Sequence, residues 1–180
     1  MGELEHFRRR KDQFFRHDPH SPLTPEQQEL FKGLTYYPEN PALRFELEIE
    51  PFEEQEPVAM QTSTGDVAGY IRWGRIHFEV DGQPAELTVY AAQGGGGFFL
   101  PFMDATSGDE TYSAGRYLEI EPLSDGRFLV DFNMAYNPYC AYNERWSCPI
   151  PPEENRLTVP IRAGEKLPAG EWAEPGGQDP

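Results

Sequence analysis

Ala68-Gly69-Tyr70-Ile71-Arg72-Trp73-Gly74-Arg75-Ile76-His77-Phe78-Glu79-Val80, followed by Asp81-Gly82, is the stretch that decides the fold. Ile76, Phe78 and Val80 alternate with His77 and Glu79, the two-residue period of a strand with one buried face. Gly74 inside that run predicts a bulge or bend. Asp81-Gly82 predicts a tight hairpin turn, where both central residues need positive φ.

The same reading extends in both directions. Downstream, Glu86 to Ala91, Gly97 to Met103, Arg116 to Glu121 and Arg127 to Asn133 read as strands, the last two joined by Ser124-Asp125-Gly126. Leu157 to Ile161 reads as a last short strand. Upstream, Phe45, Leu47 and Ile49 alternate with Arg44, Glu46, Glu48 and Glu50, and Val58 to Ser63 reads as another strand before the Gly65-Asp66 turn. Strands joined by tight turns, with no helices between them, predict a mainly β fold. The expected architecture is an antiparallel meander rolled into a small barrel or barrel-like sheet, with two N-terminal helices.

The first helix is expected over Glu3 to His17, with Leu4, Phe7, Phe14, Phe15 and the stem of Lys11 on one face. The basic run Arg8-Arg9-Arg10-Lys11 is expected to be a solvated face. Thr24-Pro25-Glu26-Gln27 starts a short second helix, with Thr as N-cap, Pro at the first position and Gln closing a capping box. The divisions expected are a helical segment over 1–34 packed on the domain, a barrel-like domain over 35–167, and a loose acidic Gly/Pro tail over 168–180.

The formal net charge is -16, which argues against nucleic acid and against anionic membrane surfaces as partners. No stretch approaches the roughly 20 apolar residues of a membrane span, and no secretory leader is visible, so a soluble, cytoplasmic protein is expected. Gln93-Gly94-Gly95-Gly96-Gly97-Phe98 lacks the Lys-Ser/Thr of a phosphate-binding loop and reads as a flexible hairpin loop. No cofactor signature is present. The composition leaves the oligomeric state open.

Polar and aromatic residues concentrate in ETYSAGRYL (110–118), DFNMAYNPYCAY (131–142), CPIPPEENRL (148–157) and IRAGEK (161–166). Together with FKGLTYYPENPALRF (31–45), these runs resemble a prokaryotic family, domain of unknown function 1684. The resemblance extends from roughly the first helix to Lys166. It implies a shared polar core element and transfers no mechanism.

The chemistry of these residues gives the candidate ligand-binding set: Glu110, Tyr112, Arg116, Asp131, Asn133, Tyr136, Asn137, Cys140, Asn155 and Arg156. On the strand Arg127 to Asn133, Asp131 and Asn133 face away from Phe128, Val130 and Phe132. If both faces are covered they need partners. Arg116 and Arg156 are the expected ones, because a guanidinium binds a carboxylate bidentately. The cluster either lines a small-molecule pocket or forms a structural network that satisfies a Pro-rich loop. Two other readings stand beside these: a hydrolase-type enzyme using Asp131, Glu110 or Cys140, and a protein-interaction module presenting the Tyr136–Trp146 loop. Cys140 and Cys148 admit three states: buried free thiols, a disulfide, or a metal pair completed by His77 or Glu165.

Overall fold

The computed structural model of the chain describes residues 2–94 and 97–173. Helix α1 (Glu3–His17) carries acids in its first turn and Arg16 and His17 in its last, as the helix dipole favours. Helix α2 (Pro25–Leu30) begins at the expected capping box: Thr24 Oγ1 accepts from Gln27 N (3.2 Å) and Gln27 Oε1 accepts from Thr24 N (2.9 Å).

Seven strands follow: β1 (Arg44–Leu47), β2 (Glu50–Gln61), β3 (Val67–Val80), β4 (Gln83–Ala92), β5 (Phe98–Phe102), β6 (Arg116–Pro122) and β7 (Phe128–Asp131). They form one antiparallel sheet in the order β1-β7-β6-β5-β4-β3-β2, rolled into a half-barrel. The two edge strands are consecutive in sequence, separated only by Glu48 and Ile49, so a single piece of chain links the two margins of the roll. The concave side holds the main core, with Ile76, Phe78, Val80, Val89, Leu100, Phe102, Val130 and Phe132 in contact. Ile76, Phe78 and Val80 among them are the inward positions of the predicted alternation.

Asp81 (φ 51°) and Gly82 (φ 80°) make the predicted hairpin turn. The β3–β4 register shifts between Arg72 and Gly74, the predicted bulge. There Gly74 is packed so tightly that a Cβ would lie 2.6 Å from Glu50 O and 2.8 Å from Ile49 Cγ2. Gly74→Ala should therefore destabilise by about 1–3 kcal/mol, read from chemical denaturation. An unchanged midpoint would mean that the bulge relaxes freely and that this contact is no constraint.

Three boundaries differ from the sequence reading. β2 begins at Glu50, because Glu50 and Pro51 already pair with Arg75 and Gly74 before a shift to Glu56. The Glu- and Pro-rich stretch between tolerates this because it lies on the sheet margin, where no further ladder is needed. β7 stops at Asp131, whose carboxylate accepts from Asn133 N (3.0 Å) and turns the chain into a single 3-10 turn. Leu157–Ile161 forms no strand. Its backbone bonds singly to Met103 and Ala105, while Asp104 takes the amide of Ile161 and Arg116 its carbonyl.

A second apolar cluster, Phe15, Leu23, Phe31, Tyr142 and Trp172, seats both helices. Phe15 is buried, whereas Phe14 and Phe7 are half-buried. Full burial of such a ring is worth about 1.5–3 kcal/mol. The segment expected to be loose from Pro168 onward is packed as far as Ala173, with Trp172 against Phe31 (4.8 Å) and Tyr142 (6.1 Å). Residues 174–180 of that expected tail, and Gly95 and Gly96 of the expected hairpin loop, lie outside the described residues. Among the described residues no helix is long and apolar enough to cross a membrane.

Candidate functional site

The candidate residues separate into buried clamps and a surface cleft. Arg116, on β6, is 1% exposed and points beneath the 161–165 segment. Its guanidinium donates to the carbonyls of Ile161 (2.7 Å), Ala163 and Glu165 (3.2 Å). Its carboxylate partner is Asp104 (3.6 Å), correcting the expected pairing with Asp131. Burial pulls the guanidinium pKa down, and Asp104 acts against that shift. Arg156, the other expected partner, is exposed; its backbone bridges to Met103, and among the described residues its side chain makes no hydrogen bond or ion pair.

The asparagines serve irregular backbone in the same way. Asn155 clamps Thr88 through its N–H and C=O (2.8 and 2.9 Å) and donates to Pro101 O (2.8 Å). Asn133 clamps Asn40 (2.8 and 3.0 Å). Asn137 donates through its amide to Glu165 Oε1 (3.0 Å) and through its side chain to Lys166 O (3.0 Å). Each side chain replaces a ladder that the Pro-rich chain cannot make.

Glu165 is the polar centre that the sequence reading considered only as a metal ligand. It is 1% exposed. It accepts from Lys11 Nζ, Tyr142 Oη (2.8 Å) and Asn137 N. The basic run of α1 is thus divided rather than wholly solvated. Arg9 and Arg10 are exposed, but Lys11 reaches Glu165, and Arg8 donates to Tyr37 O (3.0 Å) and lies over the Tyr36 ring (4.3 Å). The only sequence signal for Glu165 was its place in the IRAGEK run.

Glu110 is held by Arg162 (3.2 Å) and Tyr37 Oη (2.7 Å), which together lower its pKa from the usual carboxylate range. Cys140 and Cys148 are buried free thiols. Tyr112 Oη lies 3.6 Å from Cys140 Sγ. Neither His77, paired with Glu50, nor Glu165, paired with Lys11, approaches them as a ligand. Asp131, Glu110 and Cys140 are not joined to one another by any hydrogen bond or ion pair among the described residues. The aromatic loop is turned inward. Tyr142 is buried, Tyr139 and Trp146 are half-buried, and Trp146 Nε1 and Asn143 Nδ2 both donate to Pro22 O (3.0 and 2.6 Å). It seats the helices instead of presenting a flat patch.

Two candidates reach a cleft of about 1000 Å³. It lies between the first turns of α1 and the outward faces of β1, β6 and β7. Leu4, Phe7, Leu129, Met134 and the Tyr136 ring give apolar walls; Asp131, Glu119, Glu121 and Glu39 supply carboxylates, against Arg10 and Arg44. Asp131 Oδ1 is fixed by Asn133 (2.9 and 3.0 Å), and Tyr136 Oη donates to Glu119 Oε1 (2.8 Å), so both groups are held in place. The other Asp131 oxygen has no hydrogen bond among the described residues.

A family model described as protein of unknown function (DUF1684) matches residues 29–166. The chain is similar to the solution NMR structure of an uncharacterized protein from gene locus rrnAC0354 of Haloarcula marismortui. The two share 38% identity with a TM-score of 0.68, over 91% of this chain and 92% of that one. Comparison with curated proteins finds no match.

Proposed function

This chain belongs to the DUF1684 family; we propose that it is a non-catalytic binding protein whose small-molecule ligand sits in the cleft beneath α1. The observation carrying this reading is the cleft itself. Its volume of about 1000 Å³ suits a small organic ligand. Leu4, Phe7, Leu129, Met134 and the Tyr136 ring give it apolar surface among charged side chains, and a carboxylate held by Asn133 stands at its margin. Carboxylates outnumber arginines around it, so the ligand class favoured is an apolar body bearing a cationic group. Two buried residues support the wall from behind: Asn133 fixes Asp131, and Glu165 fixes the helix that roofs the cleft.

The test is a thermal-shift comparison of arylalkylamines with arylalkanoic acids of matched length, with native mass spectrometry of the purified protein alongside. Amines at about a hundredfold excess over Kd should stabilise by about 2.7 kcal/mol, or roughly 5–10 °C for a chain of this size. The acids should not, and Phe7→Ala or Asp131→Asn should remove the shift. No shift with either class, together with a bare protein mass, would count against the cleft as a binding site.

A further inference from the structure

We propose that Cys140 and Cys148 form a reversible dithiol–disulfide site that responds to small peroxides. The two residues are held by different parts of the fold. Cys140 sits in the 3-10 turn Tyr139–Ala141. Cys148 is laid against the end of β2, where its amide donates to Ser63 Oγ (3.1 Å) and its carbonyl accepts from Ser63 N (2.9 Å). These anchors bring Cys148 Sγ to 3.3 Å from the backbone nitrogen of Cys140. The fold thereby brings both cysteines into one buried cluster with Tyr112, with no covalent link between them.

The surroundings distinguish the two thiols. Tyr112 Oη lies at Cys140 Sγ, and hydrogen bonding from Cys148 and Tyr112 lowers the Cys140 pKa. The same shared hydrogen bond raises that of Cys148. Cys140 is the attacking thiolate and Cys148 the resolving thiol. Each residue is 7% exposed, leaving room for a small oxidant and little for a bulky disulfide.

The chemistry balances with a peroxide as the only oxidant. The Cys140 thiolate attacks the O–O bond, becoming a sulfenic acid, and the leaving alkoxide or hydroxide takes up a proton. The Cys148 thiol then attacks the Cys140 sulfur, forming the S–S bond and releasing water. Two thiols lose two hydrogens and one peroxide is reduced. The bond formed would fasten the loop on which Tyr142 and Asn143 hold α2 and the Pro22 turn.

The test treats the folded full-length protein with hydrogen peroxide, alkylates it under denaturing conditions and measures intact mass. Wild type should lose two hydrogens, resist alkylation at both cysteines, and recover both thiols with dithiothreitol. Cys148→Ser should stop at one added oxygen on Cys140, trapped by a sulfenate reagent. Cys140→Ser should react at least tenfold more slowly. Wild type that remains fully alkylatable, or that takes up oxygen at both sulfurs without cross-linking, overturns the proposal. The wild-type measurement alone decides this even if a serine variant folds poorly.

Discussion

Replacing Arg116 with methionine is expected to lower the unfolding free energy by about 3–5 kcal/mol. The side chain is of similar length and apolar, so the space stays filled, and the loss is electrostatic. Asp104, 1% exposed at its side chain, is left without its cation. The carbonyls of Ile161, Ala163 and Glu165 lose their donor. Arg116→Lys should recover only part of the loss, because one ammonium cannot cover three carbonyls spread over five residues. The exposed Arg156, replaced in the same way, should change stability by less than about 0.5 kcal/mol. Denaturant midpoints for the three variants check this ordering. A loss below about 1 kcal/mol for Arg116→Met would mean that Asp104 is not a buried, dependent charge.

The second large effect concerns Lys11 and Glu165. The pair is 18% and 2% exposed at its two side chains, so water and salt screen it poorly. Lys11→Met leaves a buried carboxylate and should cost about 3–5 kcal/mol. Glu165→Gln strands the ammonium and weakens the bonds from Tyr142 and Asn137, with a similar loss expected. The double variant should be less destabilised than the sum, by a coupling of about 1–3 kcal/mol. That coupling should persist in 0.5 M salt. Additive losses would show that the Lys11–Glu165 pair does not help to hold α1.

The sheet was legible because alternation is local. Ile76, Phe78 and Val80 declare their face without reference to the rest of the chain, and Asp81-Gly82 declares the turn. The polar interior was legible only as a set of residues. Arg116 was recognisable as an arginine needing a carboxylate. Which carboxylate it met was settled by β5 delivering Asp104 to its side, a tertiary event that no spacing encodes. Asp131 looked like the better partner because it lies on a strand, but it faces outward to the cleft and bonds to Asn133. Glu165 stands in a segment with no period at all, so nothing in its neighbourhood separates a buried acid from a solvated one. For Lys11 the helical period placed the stem on the apolar face beside Phe7, Phe14 and Phe15, but nothing in that run of four basic residues showed that its ammonium meets a buried carboxylate.

The contact between Lys11 and Glu165 spans 154 positions of sequence. A chain made from its N-terminus produces α1 well before Glu165. At 5–20 residues per second, roughly 8–30 s pass before Glu165 is added. Throughout that interval the cation of Lys11 lacks its carboxylate and the cluster around Phe15 is incomplete, since Trp172 and the 161–165 segment are still to come. Seating of α1 thus waits for the 161–173 segment, and a nascent chain arrested before Glu165 would hold α1 without its buried ion pair.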